Sequence, residues 1–94
     1  VYKRQVQEFK DRGAVLLDVR SKLEFKAGAI KGAKNIPLEQ VSRRMSEIQK
    51  WGKPVICYCR SGMRSGTATS ILKRHGIEAM NGGGWQRLNE RLSE

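Results

Sequence analysis

Cys59 is followed by Arg60, Ser61, Gly62, Met63, Arg64, Ser65 and Gly66, so a thiol stands just ahead of a glycine-containing loop with two guanidinium groups. The residues before it, Val55-Ile56-Cys57-Tyr58, form an apolar run of the kind that makes a buried strand. In α/β sheets, the carboxyl ends of strands are where ligands bind. A loop at that place can turn successive backbone N–H groups inward and form an anion nest. The helix expected after it adds the partial positive charge of its N-terminus. A thiolate gains from these interactions and a thiol does not, so Cys59 is expected to ionise readily and act as a nucleophile. The same field would hold a bound oxyanion or a persulfide.

Spacing narrows the reaction. Cysteine phosphatases and the related arsenate reductases place five residues between the nucleophile and the arginine. Here four residues separate Cys59 from Arg64, and Ser65 occupies the next position. The loop is one residue too short to cradle a tetrahedral phosphate in that way, and no carboxylate general acid stands at a recognisable place.

Other reactive side chains read differently. Cys57 lies within the strand and is expected to pack in the core; a Cys57–Cys59 disulfide is disfavoured by geometry two residues apart, and further Cys or paired His for a metal site are lacking, so no metal is expected. Asp18 and Arg20 follow a strand and are expected to brace the active loop through charge-assisted hydrogen bonds. Trp85, after three glycines, either lines the pocket mouth or caps the core. Met63 is expected to shape the pocket. His75 sits at a helix C-terminus, where a cation is favoured and exposure is expected. Arg43 and Arg44 are expected to face solvent, with docking of an acidic partner as the alternative.

The elements that must position this loop can be read from the pattern. Residues 2–12 suit a short helix with Val6 and Phe9 inward and Gly13 as its stop. Ala14-Val15-Leu16-Leu17, leading to Asp18-Val19-Arg20, suits a strand buried on both faces. Ser21 and Glu24 stand in capping-box spacing for a turn or short helix reaching Ala27. An irregular, glycine-punctuated link follows, and Asn35-Ile36-Pro37 ends a short strand. Leu38, Val41, Met45 and Ile48 mark one face of a helix closed by Gly52. After the Cys59 loop, a helix is expected over residues 65–75, with Ala68, Ile71 and Leu72 inward and Gly76 at its end. Residues 77–80 read as a further strand, Asn81-Gly82-Gly83-Gly84 as a backbone hinge, and residues 85–92 as a terminal helix. Strands alternating with helices imply an α/β fold: a small central, mostly parallel sheet flanked by helices.

Ninety-four residues allow one domain, here 1–94 with its core over about 14–92. A chain this short buries only about 60–65% of its unfolded surface, so the core is small. The net charge of +10 invites a nucleic-acid reading. The basic residues are dispersed, however, and the six aromatics do not interleave with them as a stacking strip would require. No nucleic-acid partner is expected; the charge instead raises the local concentration of small anions. No apolar run is long enough for a membrane span, and no signal-peptide pattern opens the chain. A cytoplasmic monomer is expected, with an exported form left open because the missing initiator Met points to a trimmed, processed or partial chain.

Several motifs in order resemble one family: Leu17-Asp18-Val19-Arg20, Glu24-Phe25, Gly28 through Pro37, Cys59 through Ser65, and Gly82-Gly83-Gly84-Trp85. The chain resembles the single-domain rhodaneses, or thiosulfate sulfurtransferases, over roughly residues 15–88. One departure is Ala29, where many members carry His outside the loop. The resemblance implies a rhodanese-like domain and a transferase cycle in two halves. Cys59 takes the outer sulfur of thiosulfate or another small anionic donor as a persulfide, and a nucleophilic acceptor, cyanide or a thiol (a protein thiol included), removes it. It also implies that the N–H groups of residues 60–64 hold the persulfide, that Arg60 and Arg64 position the donor's oxyanion, and that no cofactor is needed beyond the cysteine. Rhodanese-like folds also serve as non-catalytic sulfur carriers or interaction modules, which is the alternative reading.

Overall fold

Four strands form one parallel sheet in the computed structural model, which describes residues 1–93. In chain order the elements are α1 (Tyr2–Asp11), β1 (Val15–Asp18), α2 (Lys22–Ala27), β2 (Lys34–Asn35), α3 (Leu38–Val41), α4 (Met45–Lys50), β3 (Val55–Cys59), α5 (Met63–Arg74), β4 (Ala79–Gly84) and α6 (Trp85–Leu92). The strand order is β2-β1-β3-β4. The α/β architecture with a central parallel sheet between helices is thus the one the sequence implies. Among the described residues, no helix is long and apolar enough to cross a membrane.

β3 is buried along its whole length, because it is central and covered on both faces. Its side chains alternate with the two-residue period of a strand. Val55, Cys57 and Cys59 join a cluster with Val41, Met45, Ile48, Ala68 and Leu72 of α3, α4 and α5. Ile56 and Tyr58 face the other way, toward Val6, Phe9 and Leu88 of α1 and α6. Fully burying a side chain such as Leu72 or Leu88 contributes about 1.5–3 kcal/mol. The alternation therefore fixes which layer receives the Cys59 sulfur: the one containing α5.

The Tyr58 hydroxyl accepts the Ile30 N–H at 3.2 Å in the opposite layer and so ties down the irregular link before β2. Tyr58→Phe should lower stability by about 1–3 kcal/mol, because it leaves that buried N–H without an acceptor. The expected result is a lower urea midpoint at unchanged slope; an unchanged midpoint would show that the bond contributes nothing net.

Five local expectations are corrected. The helix expected from Leu38 to Gly52 is two helices, α3 and α4, interrupted at residues 42–44. Arg44 adopts φ −104°, ψ 22°, yet its N–H still reaches the carbonyls of Gln40 and Val41. The turn is preserved in hand, so Val41, Met45 and Ile48 stay inward and the periodicity hides the break. Arg44 is not simply solvated either; it pairs with Glu47. The first half of β1 is only partly buried, so its apolar run overstated the burial there. Helix α5 begins at Met63, two residues before the expected start, because Gly62 takes the left-handed conformation that opens it. Finally, the glycines after Asn81 are not a hinge but part of β4, paired as Cys57↔Asn81, Tyr58↔Gly83 and Cys59↔Gly84, with a bulge that skips Gly82. A Cβ at Gly84 would stand 2.9 Å from the Arg60 carbonyl oxygen, so the small residue there lets β4 pass under the active loop.

Candidate functional site

Cys59 ends β3, fully buried, and the chain turns through Arg60, Ser61 and Gly62 into α5. Gly62 is the N-cap of that helix at φ 101°, and has no side chain with which to cap it. The sulfur of Cys59 takes that place. It accepts the Gly62 N–H at 3.0 Å and the Ser65 N–H, in the first helical turn, at 3.4 Å. The Ser65 hydroxyl lies 3.3 Å from the same sulfur. A helix begins with N–H groups that lack intrahelical acceptors and carries partial positive charge there. An anionic sulfur satisfies both needs.

The electrostatic outcome follows from a competition. Burial disfavours the charged thiolate, but hydrogen bonds from the Ser65 side chain and from the Ser65, Gly62 and Ser61 amides together outweigh it, and the Cys59 pKa falls below the ordinary thiol value. Cys57, one strand period earlier in the same layer, lacks this cradle: burial pushes its thiol up to about 12 despite a hydrogen bond with Thr69. Two cysteines on one face of one strand are thereby given opposite chemical characters. The expected core role for Cys57 agrees with its full burial.

Gly62→Ala tests the cradle. Its left-handed φ is strained for any residue with a Cβ, and that atom would lie 3.3 Å from the Gly83 Cα. The Gly62 N–H should swing off the sulfur, and the thiolate population near neutral pH should fall by about threefold to tenfold. Thiolate absorbance near 240 nm reads this directly; no change would mean that this amide does not hold the sulfur.

The remaining residues singled out from the sequence fall into two groups. Ser61 is exposed, while Ser65 is buried against the sulfur. Arg64 does not aim its fork at the sulfur. Its Nη1 and Nη2 donate to the two oxygens of Glu24 at 2.7 and 3.0 Å. The hydrogen bond from Arg64, followed by that from the Ser21 amide, holds the Glu24 carboxyl at about 2. Glu24 closes the capping box of α2 as the spacing suggests, and it also joins α2 to the start of α5. The expectation that Arg64 positions the donor's oxyanion meets a competing partner, because its guanidinium is paired with Glu24. Met63 is corrected. As the first residue of the helix it points outward, 81% exposed, and does not shape a pocket.

Arg60 is exposed and lines a shallow cleft of about 190 Å³ with Arg20, Glu24, Ala27, Gly28 and Trp85. Trp85 serves both of its alternative roles, lining this cleft and packing against the α1–α6 core. Asp18 and Arg20 form a buried pair, with Arg20 Nη2 to Asp18 Oδ2 at 2.6 Å. Arg20 also donates to the Gly28 carbonyl at 2.6 Å and stacks 5.1 Å from the Trp85 ring. The pair's side-chain hydrogen bonds run to each other, to the Gly28 carbonyl and, from Asp18, to Tyr58. The pair therefore braces the Gly28 and Trp85 side of the cleft, with no hydrogen bond to the loop among those given for it. His75 is exposed, as expected, with Nδ1 2.9 Å from the Ile71 carbonyl. A larger cavity of about 430 Å³ lies at the other end of the sheet, around Pro54 and Glu78, and contains no residue of the Cys59 loop. The chemistry is assigned to the loop because a small anion needs oriented donors more than volume.

Two residues were missed as parts of the site. Glu24 is legible as a helix cap and as part of the Glu24-Phe25 motif, but its partner is 40 residues away. The local pattern puts Asn81 in a hinge. Its Oδ1 accepts from Ser65 Oγ at 2.7 Å and from the Gly83 N–H at 2.9 Å, and its Nδ2 donates to the Gly62 carbonyl at 3.0 Å. A polar residue inside an otherwise apolar and glycine-rich strand was the available signal.

Comparison with known proteins points the same way. The rhodanese-like domain family matches residues 3–90. An uncharacterized protein of Bacillus subtilis is 48% identical over 65 residues, covering 69% of this chain and 51% of that protein. A sulfurtransferase of Allochromatium vinosum is 40% identical over 62 residues, covering 66% of this chain and 57% of its own length. The chain thus spans little more than half of these relatives. A solved structure, a rhodanese with anions from E. coli, is 32% identical with a TM-score of 0.71, covering 79% of this chain and 89% of that one.

Proposed function

The chain belongs to the rhodanese-like family, and from that premise we propose that it is a sulfurtransferase carrying sulfane sulfur on Cys59. The observation that carries the reading is the sulfur's position as acceptor for the Gly62 and Ser65 amides at the start of α5. In the first half-reaction, the Cys59 thiolate attacks the outer sulfur of thiosulfate. The S–S bond of the donor breaks, its electron pair leaves with sulfite, and Cys59 becomes a persulfide anion. In the second, cyanide or a thiolate attacks the terminal sulfur and restores the Cys59 thiolate. The same N–H groups that face the thiolate suit the persulfide, so the cycle needs no metal or organic cofactor. Arg60, unpaired by any carboxylate described above, is the side chain at the cleft best placed to meet the donor's sulfonate. Free cysteines and a nucleophile that must stay reduced suit a cytoplasmic, thiol-rich compartment.

The experiment is turnover of thiosulfate and cyanide, followed as sulfite and thiocyanate. The thiosulfate half-reaction should rise with pH through a single step below the ordinary thiol range, because the reactive thiolate forms above the lowered Cys59 pKa. A flat profile or a step near that of a free thiol would contradict the reading.

The pairing of Arg64 with Glu24 favours one second reading, a sulfur carrier. With one of its two loop arginines neutralised, the site would accept sulfur from a protein persulfide more readily than from a free dianion. Persulfide formation without thiocyanate release would select that reading.

A further inference from the structure

The hydrogen bonds around Ser65 contain an arithmetic conflict. A serine hydroxyl has one proton. Asn81 fixes where that proton points. The Gly83 N–H can only donate, so it faces Oδ1, and the Gly62 carbonyl can only accept, so it faces Nδ2. The amide orientation is therefore set by its partners. Oδ1 is the atom that meets Ser65 Oγ at 2.7 Å, and Ser65 must be the donor in that bond. Toward Cys59, 3.3 Å away on its other side, the same hydroxyl can then only accept, which suits a protonated thiol. A thiolate needs the opposite: the hydroxyl proton must turn to the sulfur, and the short bond to Asn81 is lost.

We propose that Asn81 is a positioning residue that sets the charge state of Cys59 by competing with its sulfur for the single Ser65 proton. On ionisation, the thiol proton leaves to solvent, the Ser65 proton turns from Asn81 Oδ1 to Sγ, and Oδ1 keeps only the Gly83 N–H. Ionisation thus gives up the bond from Ser65 to Asn81 and the bond from the thiol to Ser65, and gains one charge-assisted bond. Asn81 raises the pH at which Cys59 becomes reactive, and gives the nucleophile a reversible, neutral resting form. The charges around this triad are Arg60 in the loop, the Arg64–Glu24 pair of α5 and α2, and the Asp18–Arg20 pair of β1. The strand β4 adds none, and Cys57 of β3 stays neutral up to about 12. A neutral substitution at 81 changes none of these.

The inference rests on Cys59 being the acidic, reactive thiol of the proposed function, and its test does not require turnover. Thiolate absorbance near 240 nm is titrated in wild type, Asn81→Ala and Asn81→Asp. Cys57 and both tyrosines, Tyr2 and Tyr58, are shifted upward and do not obscure the step. Asn81 is exposed, so neither change disturbs the core. Asn81→Ala should move the midpoint to lower pH by roughly half a pH unit to one, since the hydroxyl is released to the sulfur. Asn81→Asp keeps an acceptor at the same place and adds negative charge, so the midpoint should rise. Both lose the Nδ2 bond to Gly62, so a merely structural role would move both the same way. In a Ser65→Ala background, Asn81→Ala should leave the midpoint within about 0.2 pH units. Shifts in one common direction, no shift in Asn81→Ala, or a full shift without the Ser65 hydroxyl would overturn the proposal. A wild type with no step below the free-thiol range would instead defeat the assignment of Cys59.

Discussion

Replacing Cys59 by serine should reduce sulfur transfer by at least about a thousandfold, to the level of the uncatalysed background. The reason is specific to the cradle. The Gly62 and Ser65 amides and the start of α5 stabilise an anion at this position, and a serine hydroxyl ionises far too weakly to supply one. The side chains are nearly isosteric, so the fold should survive, and the same thermal midpoint within a few degrees would attest to that. Cys57→Ser is the matched control. It buries a hydroxyl where burial already opposes ionisation, so stability should drop by about 1–2 kcal/mol while transfer per folded molecule is kept. If Cys57→Ser abolished transfer and Cys59→Ser did not, the site would be assigned to the wrong cysteine.

The largest loss of stability should come from Asp18→Asn. The side chains of Arg20 and Asp18 are 5% and 0% exposed, and Asp18 supplies both oxygens of the bidentate pair. Asparagine keeps the volume and removes the charge, which strands a buried guanidinium between the Tyr58 and Trp85 rings. Breaking a buried pair in this way costs about 3–5 kcal/mol, a large part of what a small domain has. Chemical denaturation should show it, and the double variant Asp18→Leu with Arg20→Met should recover part of it, because an apolar pair leaves no orphan charge. Losing the Asp18 charge leaves Arg20 cationic near the site without touching the loop, so the Cys59 titration midpoint of the folded fraction should hold or fall, not rise. A raised midpoint would restore the role expected from sequence, that of bracing the loop. A loss below 1 kcal/mol would show that Arg20 finds water in place of Asp18.

How much of this was readable in advance depends on the range of each interaction. Cys59 at a strand end before a glycine loop and helix is a local pattern, and so is the inward face of α5; both were legible. The capping box of Ser21 and Glu24 was legible for the same reason. The second use of Glu24, and with it the neutralisation of Arg64, crosses 40 residues and leaves no periodic trace. Asn81 meets Ser65 across 16 residues because β4 lies beside β3, a consequence of sheet order rather than of any local signal. Local propensity alone makes the glycine run a hinge. Strand pairing overrode it, as tertiary context often does for β structure. The interruption between α3 and α4 was invisible because no Gly or Pro marks it and its hydrogen bonds keep the faces in phase.

The central claim is that one amide-cradled sulfur carries the transferred atom, and intact-protein mass spectrometry after thiosulfate, then cyanide, tests it most directly. Wild type and Cys57→Ser should each gain one sulfur, about 32 Da, and lose it on cyanide, while Cys59→Ser gains none. A gain that persists in Cys59→Ser, or no gain in wild type with any sulfane donor, would contradict the account.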